Sequence, residues 1–395
     1  MKIGYAQQVI TPSLDRPVFL AGFGQNRRAQ TVHDDLFARA LALRDGPNTL
    51  VLCALDLIGF LRIDVLDVCH RVNEQAPGTQ VIIASTHTHH GPDTLGLWGP
   101  DDKTCGVDPK YMSVLKEIIT AIILSSFVDM QPAHIKFASV QVPGLAKNAR
   151  DPAILDNELT LAQFTHAESG LPLVTLFNFP CHPEVLSSHN PHITSDYPGA
   201  LRREVEAGTG APCIFFSGAL GGMMTPNVKD HSFAEADVMG KKLAEDGLKL
   251  LEETIQTQEA GFRKQTSPIQ VKLTNLLFKL AIRRKLLTES RNRQGTVVSE
   301  VNLLRVDGLW LATVPGELLP KLGLAIKAEM HTAGAQVAGI LGLANDELGY
   351  ILSKEDFRYP LNPFRPGKHY EETMSLSKAV GPAVVEALRN LIRSQ

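Results

Sequence analysis

Runs of apolar, often branched residues recur at short intervals along the chain and predict buried β-strands. Several of these runs are continuous instead of alternating with polar residues, a pattern typical of strands covered on both faces. The predicted strands cover residues 49–58, 80–85, 134–140, 173–179, 213–217, 297–304 and 309–314. We therefore expect a large β-sheet core.

Helix signals lie between these strands. The clearest helix begins after Asp108, an N-cap candidate followed by Pro109 at the first helical position, and runs towards Met130. Further helices are predicted over residues 233–257, 317–331 and 375–392. Strands that alternate with helices predict an α/β fold, with helices flanking a mixed β-sheet core. Because no repeat or flexible linker interrupts the pattern, we expect residues 1–395 to form a single domain.

Composition and charge narrow the possible classes of function. The chain is 44% hydrophobic and 21% charged, with 31 Gly and 24 Pro, which is typical of a globular protein and excludes a collagen or a coiled coil. Its 39 Lys and Arg are balanced by 42 Asp and Glu, so we expect no nucleic-acid partner. The longest apolar stretch, 118–128, is far shorter than the roughly 20 residues of a membrane-spanning helix, so no transmembrane segment is predicted.

Three weaker features set secondary expectations. The opening MKIGYAQQVITP lacks the pattern of a secretion signal, which predicts a cytoplasmic location. Five cysteines without CxxC spacing indicate reduced thiols. The basic stretch over 272–293 is interpreted as a solvated face, with contact to an anion as the alternative. The oligomeric state stays open.

The motif STHTHHGP follows the predicted strand 80–85 and places three histidines at a strand end. In an extended chain His87 and His89 project to the same side, where two imidazoles can converge on a metal ion or on a metal and its substrate. His90 points elsewhere. Buried histidines that bind backbone carbonyls give the same local pattern, so further ligands are needed to indicate a metal site.

Three other segments place polar groups at strand ends or in loops. His182 follows the predicted strand 173–179 and is the natural remote ligand, or else it caps the strand. Glu317, after a Pro-Gly turn, either ligates a metal or favours a helix N-terminus. The run LANDELGY ends in Tyr350 and by itself predicts a loop.

The motifs STHTHHGPDTLGLWG, FNFPCHPEVL, GGMMTPN, VPGEL, ANDELGY and HYEE, in this order, resemble the catalytic domain of the neutral ceramidase family. The opening ITP followed by VHDDLFARALAL is also similar. The resemblance implies a ceramidase-like α/β fold and one Zn²⁺ per chain. Its implied ligands are His87, His182, Glu317 and Tyr350.

The resemblance also implies catalytic roles. His89 matches a histidine that faces the scissile amide, and Arg150 and Tyr370 resemble residues that contact the reacting carbonyl and its oxyanion. The family usually has serine where this chain has Thr225 and aspartate where it has Met223. Thr225 is therefore a candidate hydrogen-bond donor or nucleophile, or a simple turn residue.

The hypothesis from the sequence is a zinc-dependent hydrolase in which metal-activated water cleaves an amide bond of an N-acylated, lipid-like substrate. Conversion of N-acylsphingosine to a fatty acid and a sphingoid base is the reaction that the resemblance implies. We expect no counterpart here of the family's carboxy-terminal sandwich domain and secretion signal, and this expectation puts ceramide itself in doubt as the substrate. The alternatives are hydrolysis of an ester, lactone or carbohydrate derivative, and a noncatalytic metal-containing binding protein. Mn²⁺ and Fe²⁺ also suit these ligands.

The segment 91–107, which carries Trp98, is a candidate wall or lid over the substrate, with ordinary loop packing as the alternative.

Overall fold

A computed structural model of the protein describes residues 1–254, 257, 261–287, 295–357 and 370–394. The strands are β1 (Lys2–Val9), β2 (Thr31–Val32), β3 (Phe37–Asp45), β4 (Asn48–Leu55), β5 (Gln80–Ser85), β6 (Gln131–Gln141), β7 (Ala146–Asn148), β8 (Glu158–His166), β9 (Pro172–Phe179), β10 (His192–Ile193), β11 (Cys213–Ser217), β12 (Met224–Pro226), β13 (Phe262–Lys272), β14 (Thr296–Val306), β15 (Leu309–Thr313), β16 (Glu317–Leu318), β17 (Val337–Leu341) and β18 (Tyr350–Ile351). The helices are α1 (Arg62–Gln75), α2 (Pro109–Ser125), α3 (Tyr197–Thr209), α4 (Phe233–Glu253), α5 (Leu276–Arg283), α6 (Pro320–Thr332), α7 (Tyr370–Thr373) and α8 (Val380–Arg393). The predicted α/β class is confirmed.

Two mixed sheets form the centre of the fold. The larger sheet has the order β11-β9-β8-β6-β1-β3-β4-β5, and the smaller has the order β13-β14-β15-β17. The pairs β4/β5, β9/β11 and β15/β17 are parallel, whereas the neighbouring pairs are antiparallel. Short two-stranded pairs, β2/β10, β7/β12 and β16/β18, lie outside these sheets.

The two sheets pack face to face, and helices cover their outer faces. Alternate residues of β3 separate the layers, because Leu41 and Leu43 join the core shared with the smaller sheet while Ala40 and Ala42 face α1 and α2. Helices α3 and α4 cover the other half of the larger sheet. Helices α6 and α8 cover the smaller one. The result is a four-layer arrangement in which both sheets are buried, as continuous apolar strands require.

Predicted strands 80–85 and 213–217 match β5 and β11, and the helix after Asp108 is α2, whose first amide the Asp108 side chain caps at Lys110. The helix predicted over 317–331 was wrong at its start. Residues Glu317–Leu318 form strand β16, and α6 begins only at Pro320, the proline at its first turn. The last predicted helix likewise begins at Val380 instead of 375.

Several smaller predictions concern the cysteines, the membrane-spanning helices and the domain organisation. All five cysteines are free thiols. Among the described residues no helix combines the length and apolar character needed to cross a membrane. Residues 255–256 of one predicted helix and 288–293 of the basic stretch lie outside the described residues. The single-domain assignment stays a prediction.

Candidate metal centre

The carboxyl ends of buried strands deliver the candidate site. β5 ends at Ser85 before the THTHH motif, and β9 ends at Phe179 before His182. β15 leads through a Pro-Gly turn to Glu317 in β16. Backbone hydrogen bonds join the two histidine loops, since the His89 amide donates to the Pro183 carbonyl at 3.2 Å. Polar groups at the carboxyl ends of strands are a common location for sites in α/β folds.

The backbone at His87 differs from the extended conformation expected from the sequence. His87 has a left-handed conformation with φ 70°, so the extended-strand reasoning for His87 and His89 is wrong. The strand ends because the amides of Thr86 and His87 turn to the carbonyls of Leu55 and Leu57. The two imidazoles converge nevertheless, with ring centroids 5.0 Å apart. A positive φ at a non-glycine residue is uncommon and is a feature of strained functional sites.

Two histidines are oriented by main-chain carbonyls. Nδ1 of His87 lies 2.5 Å from the Ile58 carbonyl oxygen, and Nδ1 of His182 lies 2.9 Å from that of Met224. A carbonyl accepts only from a protonated nitrogen, so in the neutral ring each Nε2 is the atom that can ligate a metal. Both side chains are almost fully buried. This is the usual arrangement of histidines that ligate a metal.

Glu317 supplies the third donor atom. Its Oε2 lies 3.0 Å from His182 Nε2 and 3.6 Å from His87 Nε2. Ligand atoms of a tetrahedral zinc site stand about 3.4 Å apart, given Zn–N and Zn–O bonds of about 2.1 Å. Burial alone would raise the pKa of Glu317, but the charge and hydrogen bonds of the two histidines lower it. The three donors therefore fit a divalent metal ion.

Tyr350 is brought beside Glu317 by the register of a short parallel pair, in which Glu317 lies opposite Tyr350. The tyrosine hydroxyl donates to Met223 Sδ at 3.2 Å. Burial, followed by the nearby Glu317 carboxylate, raises the pKa of Tyr350 well above its usual value. Gly349 permits this approach, because its φ is 77° and a Cβ there would lie 2.0 Å from the Met374 carbonyl oxygen.

His89 belongs to the same cluster but has different neighbours. One ring nitrogen of each of His87, His89 and His182 lies within 4.8 Å of the other two. Nδ1 of His89 is 3.2 Å from Glu184 Oε2. Burial lowers the pKa of His89 to about 4, so the ring is neutral at physiological pH. His89 can therefore serve either as a further ligand or as an acid–base group.

Glu184 was missed by the sequence reasoning. Its carboxylate is buried beside His89 and accepts a hydrogen bond from the Thr225 hydroxyl. Burial would raise the pKa of Glu184, but the hydrogen bond and charge of His89, then His182 and Thr225, lower it to about 2. The available signal was an acidic residue within the otherwise apolar run FPCHPEVL. A buried charge of this kind requires a partner.

His90, the third histidine of the motif, points away from the cluster as expected. Its Nδ1 accepts from Asn190 Nδ2 at 3.1 Å and its Nε2 lies 3.6 Å from Asp196 Oδ2. The Arg27 guanidinium lies 3.3 Å from the same Nδ1 and donates to the His89 carbonyl oxygen. His90 is therefore part of the scaffold that supports the loop.

The remaining predicted residues surround this cluster. Thr225 lies in β12, which pairs with β7 just before Arg150. The Arg150 guanidinium donates at 2.7 Å to Glu371 and at 2.9 Å to Glu372, both in the short helix α7. It is thus engaged with the helix that begins at Tyr370. Contact between Arg150 and a substrate stays a prediction.

Tyr370 is 41% exposed, and its ring centroid lies 5.7 Å from that of Tyr350. Burial of the hydroxyl, followed by Glu317, raises the pKa of Tyr370 to about 12, so the group keeps its proton at neutral pH. A protonated phenol beside the histidine cluster is able to donate a hydrogen bond to a developing negative charge.

A pocket of about 540 Å³, including its open mouth, leads to the cluster. The polar part of its lining, called the inner end below, consists of His87, His89, Glu317, Tyr350 and Tyr370. The apolar part, called the outer end, comes from four separate segments. It includes Ile58, Leu61, Leu95, Leu97, Trp98, Phe278, Leu287 and Met374. Trp98, interpreted from the sequence as either a substrate wall or packing, thus lines the pocket.

The fold is similar to solved structures of ceramidases. Neutral ceramidase from Pseudomonas aeruginosa aligns with a TM-score of 0.78 at 18% sequence identity, covering 100% of this chain and 74% of that chain. A ceramidase complexed with C2 aligns with a TM-score of 0.77 at 17% identity, covering 99% of this chain and 74% of that chain. No protein-family model and no curated protein matches the sequence. The resemblance seen in the motifs is thus confirmed at the level of the fold.

Proposed function

We propose that this protein is a metal-dependent hydrolase that cleaves the amide bond of an N-acylated, lipid-like molecule. The observation that carries the proposal is the buried cluster of two histidine Nε2 atoms and the Glu317 carboxylate, of which His87 and Glu317 line an apolar pocket. The ceramidase fold supports the same reaction class. A concave apolar pocket with a few convergent polar groups is the usual form of a small-molecule site.

His87, His182, Glu317 and Tyr350 would hold the metal, one ion per chain. Neutral imidazoles, a carboxylate and a phenol suit Zn²⁺ best, although Mn²⁺ and Fe²⁺ accept the same atoms. Such an ion supplies Lewis acidity, which polarises a carbonyl and acidifies water. The protein's part is to hold the ligands in place through the Ile58 and Met224 carbonyls.

His89 is the proposed acid–base group. The Glu184 carboxylate lies 3.2 Å from Nδ1 and favours the tautomer with a proton there, which leaves the Nε2 lone pair facing the pocket. Nε2 would accept a proton as water attacks the carbonyl and return it to the departing nitrogen. The low pKa of His89 keeps the ring available as a base at neutral pH.

Three further groups support this chemistry. Tyr370 would donate a hydrogen bond to the oxyanion through its protonated phenol. Arg150 would position Tyr370 by binding Glu371 and Glu372 of the same helix. Thr225, whose hydroxyl binds Glu184, would orient that carboxylate, a role that needs only hydrogen-bond donation.

An ester of similar apolar shape is the second candidate substrate. Met223 supports it, since a thioether contacts the Tyr350 hydroxyl where the ceramidase pattern has an aspartate. Changed polarity this close to the reacting group alters which leaving group is tolerated. The apolar pocket walls argue against a carbohydrate substrate.

The test measures hydrolysis of a fluorogenic N-acylsphingosine and of the matching ester, before and after metal removal by a chelator. The proposal predicts amide hydrolysis that is lost on chelation and restored by Zn²⁺. Hydrolysis of the ester alone would favour the second candidate. Activity that persists after complete metal removal, or stoichiometric metal with ligand binding but no turnover, would contradict the proposal.

A further inference from the structure

Helix α5 separates the pocket from solvent and has two different faces. Phe278 is 6% exposed and lines the pocket. Leu276, Leu277 and Leu280, in contrast, are 76%, 58% and 42% exposed. Three exposed leucines within a helix of eight residues form a continuous apolar surface. Such a surface on a helix indicates a contact outside the chain segment that carries it.

The charges along this stretch of the chain have one sign. Residues 272–287 contain no Asp or Glu and five basic residues, namely Lys272, Lys279, Arg283, Arg284 and Lys285. Helical spacing places Lys279 and Arg283 on the same side as Leu276 and Leu280. Asp102 lies 3.8 Å from Arg284. The chain as a whole is slightly acidic, with net charge −3, so the basic character is local.

The helix is fixed to the body of the protein. Asn275 caps it by accepting from the Leu277 amide at 2.8 Å. The Asn275 amide group also donates to the carbonyl oxygens of Thr373 and Ser375, next to pocket residue Met374. The exposed leucines are therefore held at a defined place beside the pocket.

We propose that the outer face of α5, formed by Leu276, Leu277, Lys279, Leu280 and Arg283, docks on a lipid surface that carries anionic headgroups. Leucines flanked by basic residues on one side of a short helix match the amphipathic pattern of helices that lie in the membrane interface. Each basic residue adds attraction to an anionic leaflet. Docking would bring the pocket wall formed by Phe278 to the lipid. Delivery of a lipid-like substrate by this route rests on the proposed function, whereas docking itself does not.

The experiment measures sedimentation of the full chain with vesicles of phosphatidylcholine, with and without phosphatidylglycerol. We expect binding about tenfold tighter to the anionic vesicles, weakened by salt. The triple variant Leu276→Ser, Leu277→Ser, Leu280→Ser should lose about tenfold or more in binding. The double variant Lys279→Gln, Arg283→Gln should lose the preference for anionic vesicles. A control triple variant at exposed apolar positions elsewhere, Leu66→Ser, Val128→Ser, Leu171→Ser, should bind as the wild type does.

Two further readouts separate the possible outcomes. Hydrolysis of a water-soluble short-chain amide tests the proposed function without lipid, and its failure leaves the sedimentation result intact. Analytical ultracentrifugation tests whether a second copy covers α5. Absence of binding to anionic vesicles, unchanged binding of the leucine variant, or a wild-type dimer that the leucine variant dissociates would each overturn the docking proposal.

Discussion

The two ends of the pocket are built in different ways. His87 of the inner end and the adjacent His182 are buried, and main-chain carbonyls orient each ring. At the outer end the walls are apolar side chains from separate segments, among them Trp98, Phe278 and Met374. Directional hydrogen bonds fix donor atoms to within fractions of an ångström, whereas apolar walls fix only shape and area. Under the proposed function, reaction chemistry and substrate choice therefore reside in separable parts of the molecule.

Removal of an inner ligand should have the largest effect. His182→Ala deletes one of two Nε2 donors and leaves the Glu317 charge without its 3.0 Å partner. We expect loss of bound metal. Hydrolysis should fall more than about 100-fold, which is the upper end of the loss when a residue that only supports a metal ligand is removed. Elemental analysis and a hydrolysis assay on the same preparation check both. The control is His70→Ala, an exposed histidine of α1, which should keep metal and activity.

Glu184 sharpens the comparison within the inner end, since it contacts His89 and not the proposed ligands. Glu184→Gln keeps the shape but removes the charge that holds His89 Nδ1. We expect kcat to fall about 10- to 100-fold, a smaller loss than complete removal of an acid–base group causes. The metal content should stay unchanged. The exposed Glu168→Gln serves as the control. Loss of metal together with activity would show instead that Glu184 supports the ligands.

The outer end should respond in KM and not in kcat. Phe278→Ala removes an aromatic side chain that lines the pocket and is 6% exposed. We expect KM for a long-chain amide to rise about tenfold, because the apolar area buried against the acyl chain is lost. A short-chain amide provides the internal control and should be hydrolysed as by the wild type. Equal losses on both substrates would mean that the two ends are not separable.

The smallest effect concerns the scaffold behind the inner end. Burial raises the pKa of Asp196 from 3.8 to about 7. The native carboxyl then keeps a proton that the unfolded chain has already lost, so the free energy of unfolding should fall as pH rises from 3.8 towards 7. Asp196→Asn should flatten this slope, because the amide does not titrate. Chemical denaturation of both proteins across that pH range measures the difference, and parallel curves would be evidence against the shift.

The sequence predicted the parts of the fold that depend on local apolar content. Strands β5 and β11 are continuous branched or aromatic runs, and both were found. Strand β8 was missed because its buried Thr160, Gln163 and Thr165 resemble surface residues. Gln163 donates to the Thr175 hydroxyl on the neighbouring strand, a partner that local sequence does not reveal.

The candidate site, like the fold, contains residues that the sequence predicted and residues that it did not. Motif spacing and family resemblance selected His87, His182, Glu317 and Tyr350, and the structure brings these four together. The role of Glu184 depends on the approach of His89 and Thr225 from distant loops, and no spacing rule gives that contact. In the same way, Phe278 sits in a basic stretch interpreted as a solvated face, yet it lines the pocket. Contacts between segments far apart in sequence account for both omissions.

Diffraction at the zinc absorption edge, from crystals grown with Zn²⁺, would identify the atoms that hold the metal. The account predicts one anomalous peak within bonding distance of His87 Nε2, His182 Nε2 and Glu317, with His89 outside that distance. A peak bonded to all three histidines and not to Glu317, or no peak between His87 and His182, would contradict it.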